Sequence, residues 1–212
     1  MGDNFAVLAG AKNEEGSIRN WLNHAEIPSA TVIDYAEAFI FRELRVMPMR
    51  TLKTGTIALD ATTISLADDR FLDPISAQLT GDNQTKLVFK DQGLFEELLG
   101  FAEDGTLQPG PPNIYTHNRD EIYLNTKADQ AYTYRIWHYA EPERLSGTNN
   151  DNILTTKYSD LLQSAWSIYA YKWLKDDKQM RAAQADTVAL IKQANRDSDM
   201  ALSTSQYEFY TR

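Results

Sequence analysis

Apolar residues recur at steps of three and four through positions 156–174, the period of a helix. Tyr158, Leu161, Leu162, Ala165, Trp166, Tyr169 and Trp173 form the stripe. Ile168 and Leu174 widen it until only Ser164, Ser167 and Lys172 are left for water. A stripe this wide predicts a helix covered on more than one side, by its own bundle or by a neighbouring chain. Asp176-Asp177 breaks the pattern. Asp176 is placed to cap a second helix, with Gln179 at the spacing of a capping box. That helix carries a narrow seam of Met180, Ala183, Thr187, Leu190, Ile191 and Ala194. Its short side chains predict a close approach of the two helix axes. The prediction is a scaffold hairpin with no catalytic residue on it.

The other end of the chain is also helical in pattern. A short helix near 17–25 places Ile18, Trp21 and Leu22 on one side. Pro28 ends it, because the residue before a proline is pushed out of helical geometry. Ser29 is then available to cap a longer helix with a stripe of Val32, Tyr35, Ala36, Ala38, Phe39, Leu44 and Val46, and Pro48 stops it.

From Met49 the period shortens to two, which predicts strands. Ile57 and Leu59 precede a tight turn at Asp60-Ala61, and Ile64 and Leu66 follow it. A hairpin turning at Gly81-Asp82-Asn83, a brief helix over 93–101, a Pro-Gly loop and three short strands come next. On the last strand Tyr132, Tyr134, Ile136 and His138 share one face, with Arg135, Trp137 and Tyr139 on the other. Aromatics on both faces predict a central strand or an outer contact surface. After Asn195 no helical stripe continues, and Tyr207, Phe209 and Tyr210 cluster at the end.

The expected architecture is α+β: a helical bundle formed by the N- and C-terminal helices, with an inserted antiparallel β domain. The expected segments are N-terminal helices over 1–48, the β insert over 49–142, the helical hairpin over 143–195 and an extended C-terminal tail over 196–212.

Charge and composition narrow the functions. The 212 residues carry a formal net charge of −9, from 30 acidic against 21 basic side chains. Gripping duplex DNA or an anionic membrane needs the opposite sign. The absence of cysteine excludes disulfides, thiolate metal sites and cysteine nucleophiles. The first residues lack the basic start and apolar core of a signal peptide, so a soluble chain made in the cytosol is expected.

The three histidines, His24, His117 and His138, are far apart and fit no metal-binding spacing. Asp68, Asp69 and Asp73 lack the spacing and closing glutamate of an EF-hand. Phosphate-binding and nucleophile motifs are also missing. No catalytic residue, metal site or cofactor is therefore expected. A rival reading is a carbohydrate-binding or cell-wall-hydrolysing protein, with the aromatic β block as sugar platform and Glu96 or Glu97 as acid.

Two stretches resemble a known family. Residues 41–74 run from a helix through Met47, Arg50, Thr51 and Leu52 into strands that end at Arg70-Phe71-Leu72-Asp73-Pro74. The β block exits through Tyr139-Ala140-Glu141-Pro142-Glu143-Arg144-Leu145-Ser146 into a hairpin that includes Thr156 to Leu162 and Leu174 to Asp177. In order and spacing this is similar to the head-to-tail adaptors of tailed bacteriophages, over residues 31–194. It departs from them at 67–72, where a proline usually precedes the aspartate. The resemblance implies a non-enzymatic virion protein of the neck. It implies a ring, typically dodecameric, under the portal, which extends the DNA channel and docks tail or nozzle proteins. Genomic DNA would pass through without specific binding. Subunit or bundle packing is then expected of Tyr158, Leu162, Trp166, Tyr169 and Trp173, and portal docking of Tyr207, Phe209 and Tyr210.

Overall fold

The computed structural model describes residues 5–10, 17–67, 69–80, 85–103, 105–118 and 121–209, with backbone alone at 5 and 202–209. The chain divides into two compact units, Met1–Pro48 with Pro142–Arg212, and Met49–Glu141. It is an α+β protein.

The first unit contains α1 (Phe5–Leu8), α2 (Ile18–Trp21), α3 (Ser29–Glu43), α5 (Ile153–Lys157), α6 (Ser159–Leu174) and α7 (Asp177–Phe209), while α4 (Gln92–Glu97) belongs to the second unit. α6 packs on α3 along one flank and on α7 along another. Leu161, Leu162, Ala165, Trp166, Ile168 and Ala170 are buried, as the wide stripe predicts. Ser164 and Ser167 do not face water. Ser167 is buried and donates back to the Gln163 carbonyl, while Ser164 bonds the Ala183 carbonyl and the Thr187 hydroxyl of α7. Small polar side chains thus allow close helix contact while remaining hydrogen-bonded.

The break at 175–176 behaves as its residues require. Lys175 turns left-handed (φ 59°), and Asp176 accepts the Gln179 amide to cap α7. The seam of α7 is buried at Ala183, Thr187, Ile191 and Ala194, and it continues to Ser198.

Two further expectations for this unit are corrected. Residues after Asn195 are not extended: α7 runs on through Phe209. There the apolar stripe gives way to polar side chains that satisfy backbone groups. Asn195 accepts the Arg45 amide and donates to the Glu43 carbonyl, and Ser198 accepts the Met47 amide. Together they close the C-terminal end of α3, whose last carbonyls have no partner within the helix. The second correction concerns α3. Ser29 is its first residue rather than its cap, and the buried stripe is Ser29, Val32, Ile33, Ala36, Glu37, Ile40 and Phe41. Tyr35 lies outside that stripe, 53% exposed.

The second unit holds β1 (Arg50–Ile57), β2 (Thr63–Ser65), β3 (Phe71–Thr80), β4 (Thr85–Phe89), α4 (Gln92–Glu97), β5 (Ile114–His117), β6 (Glu121–Leu124) and β7 (Tyr132–Ala140). The seven strands follow the order β1-β7-β3-β4-β5-β6-β2. β1 and β2 are therefore not a hairpin, as the tight turn suggested; they are the two edges of the sheet. Only residues 58–62 join them, which reach at most about 20 Å. The sheet must curl until its edges face each other. Lys53 on β1 crosses that seam, donating to the Ser65 carbonyl of β2 at 2.8 Å and pairing with Asp69.

Nor is the sheet wholly antiparallel. β4 and β5 pair in parallel, because α4 and the following loop carry the chain back to the same end, the crossover that parallel strands need. Pro74 is accommodated at an irregularity in the β3–β7 pairing, the kind of place where a strand tolerates proline. Ile57, Ile64, Leu66, Phe71, Leu79, Leu87, Ile122, Leu124, Tyr134 and Ile136 fill the interior.

Candidate assembly surfaces

On the first unit, α6 presents a row of aromatic side chains one to two turns apart, and each meets a partner from the N-terminal helices or the turn after α2. Trp166 takes the edge of Trp21 at 5.2 Å, Tyr169 stacks on Tyr35 at 5.4 Å, and Trp173 meets His24 at 5.4 Å. Leu162 and Trp166 are buried, Tyr158 and Tyr169 half-buried. Trp173 is 41% exposed, and Trp21 and Tyr35 more than half. The row is core on one side and solvent-facing on the other. Exposed aromatics clustered this way mark association surfaces in proteins.

Beside this row α3 contributes a group that its sequence pattern concealed. Glu37 sits on the apolar stripe, fully buried. Its two oxygens accept the Leu145 amide at 3.1 and 3.0 Å, and Oε1 also accepts Asn152 Nδ2 at 2.6 Å. Asn152 in turn caps α5 in a capping box with Thr155. Asp34, one turn earlier, pairs with Arg144. Two carboxylates of α3 thus hold residues 144–152, Asp34 through Arg144 and Glu37 through Leu145 and Asn152. Burial pushes the Glu37 pKa up from 4.5 to about 7, against the lowering effect of the Asn152 and Leu145 hydrogen bonds. The signal available in the sequence was a lone glutamate at a stripe position between Ile33 and Ile40.

On the second unit β7 lies between β1 and β3, so the aromatics on its two faces have separate roles. Tyr134, Ile136 and His138 point inward and are buried. His138 packs on Phe71, and neither ring nitrogen has a hydrogen-bond partner. Burial lowers its pKa, which favours the neutral ring. Outward, Arg50 and Tyr139 stand opposite each other where the chain enters and leaves the unit. Arg50 Nη2 donates to the Tyr139 hydroxyl at 3.1 Å. Trp137 and Leu52 are likewise paired and exposed.

A profile of the SU10 adaptor protein family matches residues 15–206. The chain belongs to that family of phage adaptors. No curated protein matches it. A phage adaptor is a structural component of the virion.

The motifs that carry the resemblance have physical roles in this adaptor. Arg50 and Tyr139 staple the first and last strands of the second unit, and Leu145 is held by Glu37. The groups considered for chemistry lie apart. Glu96 and Glu97 are exposed on α4, with Glu96 accepting from Gln92. Asp69 is engaged by Lys53, and Asp68 lies outside the described residues. Among the described residues no three metal-ligating side chains gather, and no helix is long and apolar enough to cross a membrane. Of the expected docking residues, Tyr207 and Phe209 are on the last turns of α7, and Tyr210 lies outside the described residues.

Proposed function

We propose that this adaptor forms a ring, expected to be dodecameric, beneath the portal at the neck of the virion. There it extends the DNA channel and docks tail or nozzle proteins. The observation that carries the reading is the family match over nearly the whole chain. The N- and C-terminal helices act as one bundle, and Tyr158, Leu162, Trp166, Tyr169 and Trp173 serve its packing, with the exposed edges of the row available to a neighbouring subunit. Residues 196–212, with Tyr207, Phe209 and Tyr210, dock into the portal. The net charge of −9 suits a lumen through which DNA slides, since an acidic wall offers phosphates no counter-charge.

The test is native mass spectrometry of the protein alone and after mixing with purified portal rings, followed by imaging of particle necks. A defined multimer bound to portal, and density for this chain between portal and tail, are expected. A protein that remains monomeric in both mixtures, or that maps to another part of the particle, overturns the reading.

A further inference from the structure

The second unit carries two exposed apolar patches of opposite charge. One is on the outer face of β1 and β7. Leu52 and Trp137 are directly paired there, Ile75 bulges out of β3 beside them, and all three are more than a third exposed. Arg135, two residues along β7 on the same face, is exposed and has no carboxylate partner among the described residues. The other patch is one face of α4. Leu94 and Leu98, one turn apart and each 47% exposed, flank Glu97, which is exposed and unpaired among the described residues.

α4 packs against β5. In the curled sheet β5 and β7 are separated by β3 and β4 one way round, and by β1, β2 and β6 the other. The two patches therefore lie on opposite flanks of one unit. Patches that differ, complement each other and sit on opposite flanks generate head-to-tail contacts, the kind that close into rings. A large aromatic with an arginine on one side, and two leucines around a glutamate on the other, match in both apolar content and sign.

We infer that the β1–β7 face of one copy receives α4 of the next, with Trp137 seated against Leu94 and Leu98 and Arg135 paired with Glu97. This rests on the ring reading above and supplies it with a contact made by the second unit. Alternate occupants of the β1–β7 face, such as portal or a tail protein, are outcomes that the test separates.

The natural chain has no cysteine, so a pair of introduced thiols reports the contact cleanly. Arg135→Cys with Glu97→Cys, in the full chain and bound to portal if assembly requires it, should give a ladder of covalent dimer, trimer and higher species on oxidation or with a short bis-maleimide. Either substitution alone should not pass beyond dimer. Separately, Arg135→Glu should raise the concentration of half-assembly at least about tenfold, and adding Glu97→Arg should bring it back towards the natural value. Circular dichroism confirms that each variant is folded. If multimers form but the double-cysteine chain gives no ladder, or Arg135→Glu assembles like the natural protein, this contact is wrong while the ring stands. If the natural protein never assembles, with or without portal, the ring and the contact fall together.

Discussion

Gly55 and Tyr134 face each other across β1 and β7, and the tyrosine ring occupies the space a side chain at position 55 would need. A Cβ there would stand 2.6 Å from the tyrosine oxygen and 2.8 Å from the carbon that bears it. Tyr134 is buried in the interior of the curled sheet and has little room to swing aside. Gly55→Ala is therefore expected to destabilise the second unit by about 1–3 kcal/mol, the usual cost of overpacking. Chemical denaturation with fluorescence detection checks it. A companion Tyr134→Phe change, which removes the nearest clashing atom, should make the alanine less costly.

Two buried titratable groups push stability in opposite directions with pH, one in each unit. Glu37 has a raised pKa, so the folded state holds its proton more tightly than the unfolded chain does. Stability contributed by the neutral acid is present below about 4.5 and is lost as pH rises through about 7. His138 has a lowered pKa, so the unfolded chain takes up its proton first, and stability is lost as pH falls below 6.5. The expected outcome is that Glu37→Gln flattens the decline on the alkaline side, and His138→Phe flattens the decline on the acid side. Melting temperatures from pH 4 to about 8 would show both. Glu37→Ala is different in kind. It strands the Leu145 amide and one Nδ2–H of Asn152, whose other bonds remain, and should destabilise the first unit at every pH by about 1–3 kcal/mol per stranded donor.

Where apolar periodicity carried the information, the sequence was legible. Most of the stripe of α6, the seam of α7 and the inward face of β7 are buried as their spacing predicts, because burial of those residues is what holds the elements in place; Trp173, at the end of the α6 stripe, is exposed. Polar residues misled in both directions. Ser164, Ser167 and Glu37 read as solvent-facing or unremarkable, yet Ser164 is half-buried and the other two are buried: Ser167 bonds back to the carbonyl one turn earlier, while Ser164 and Glu37 meet groups distant in sequence. Asn195 and Ser198 ended the apparent helix on paper for the same reason. Strand pairing was the least legible. A tight turn at 60–61 reads as a hairpin, and only the curl of the whole sheet makes it a bridge between the two edges. The exposed patches of the second unit are visible as residues in the sequence, but their opposition on two flanks appears only once the strand order is known.

The aromatic row on α6 separates folding from assembly within one helix. Trp166 is 3% exposed and Trp173 is 41% exposed. Trp166→Ala should cost about 3–5 kcal/mol, a large share of the stability of an ordinary domain. Trp173→Ala should lower the melting temperature clearly less, because 41% of its surface is already in water and its ring packs on His24 at the edge of the row. If the row also meets a neighbouring subunit, Trp173→Ala should weaken assembly all the same. Thermal melts and sedimentation on the two variants check this pair. Equal melting temperatures would remove Trp166 from the centre of the first unit.

The C-terminal region gives the last prediction, and the length of α7 decides where to cut. Asn195 and Ser198 hold the end of α3 through the amides of Arg45 and Met47. Truncation after Asn195 removes the Ser198 contact, and should lower stability by about 1 kcal/mol besides anything it does to binding. Truncation after Ala201 spares both contacts. It removes Tyr207, Phe209 and Tyr210, the residues proposed to seat in the portal. A helix ending in aromatic residues is suited to docking in an apolar groove of a partner. The shorter truncation should keep the melting temperature within a few degrees of the full chain while abolishing co-purification with portal rings. Restoring the segment with all three aromatics changed to serine should leave binding lost. A chain ending at Ala201 that binds portal with undiminished affinity would move the docking surface from the end of α7 to the aromatic row on α6.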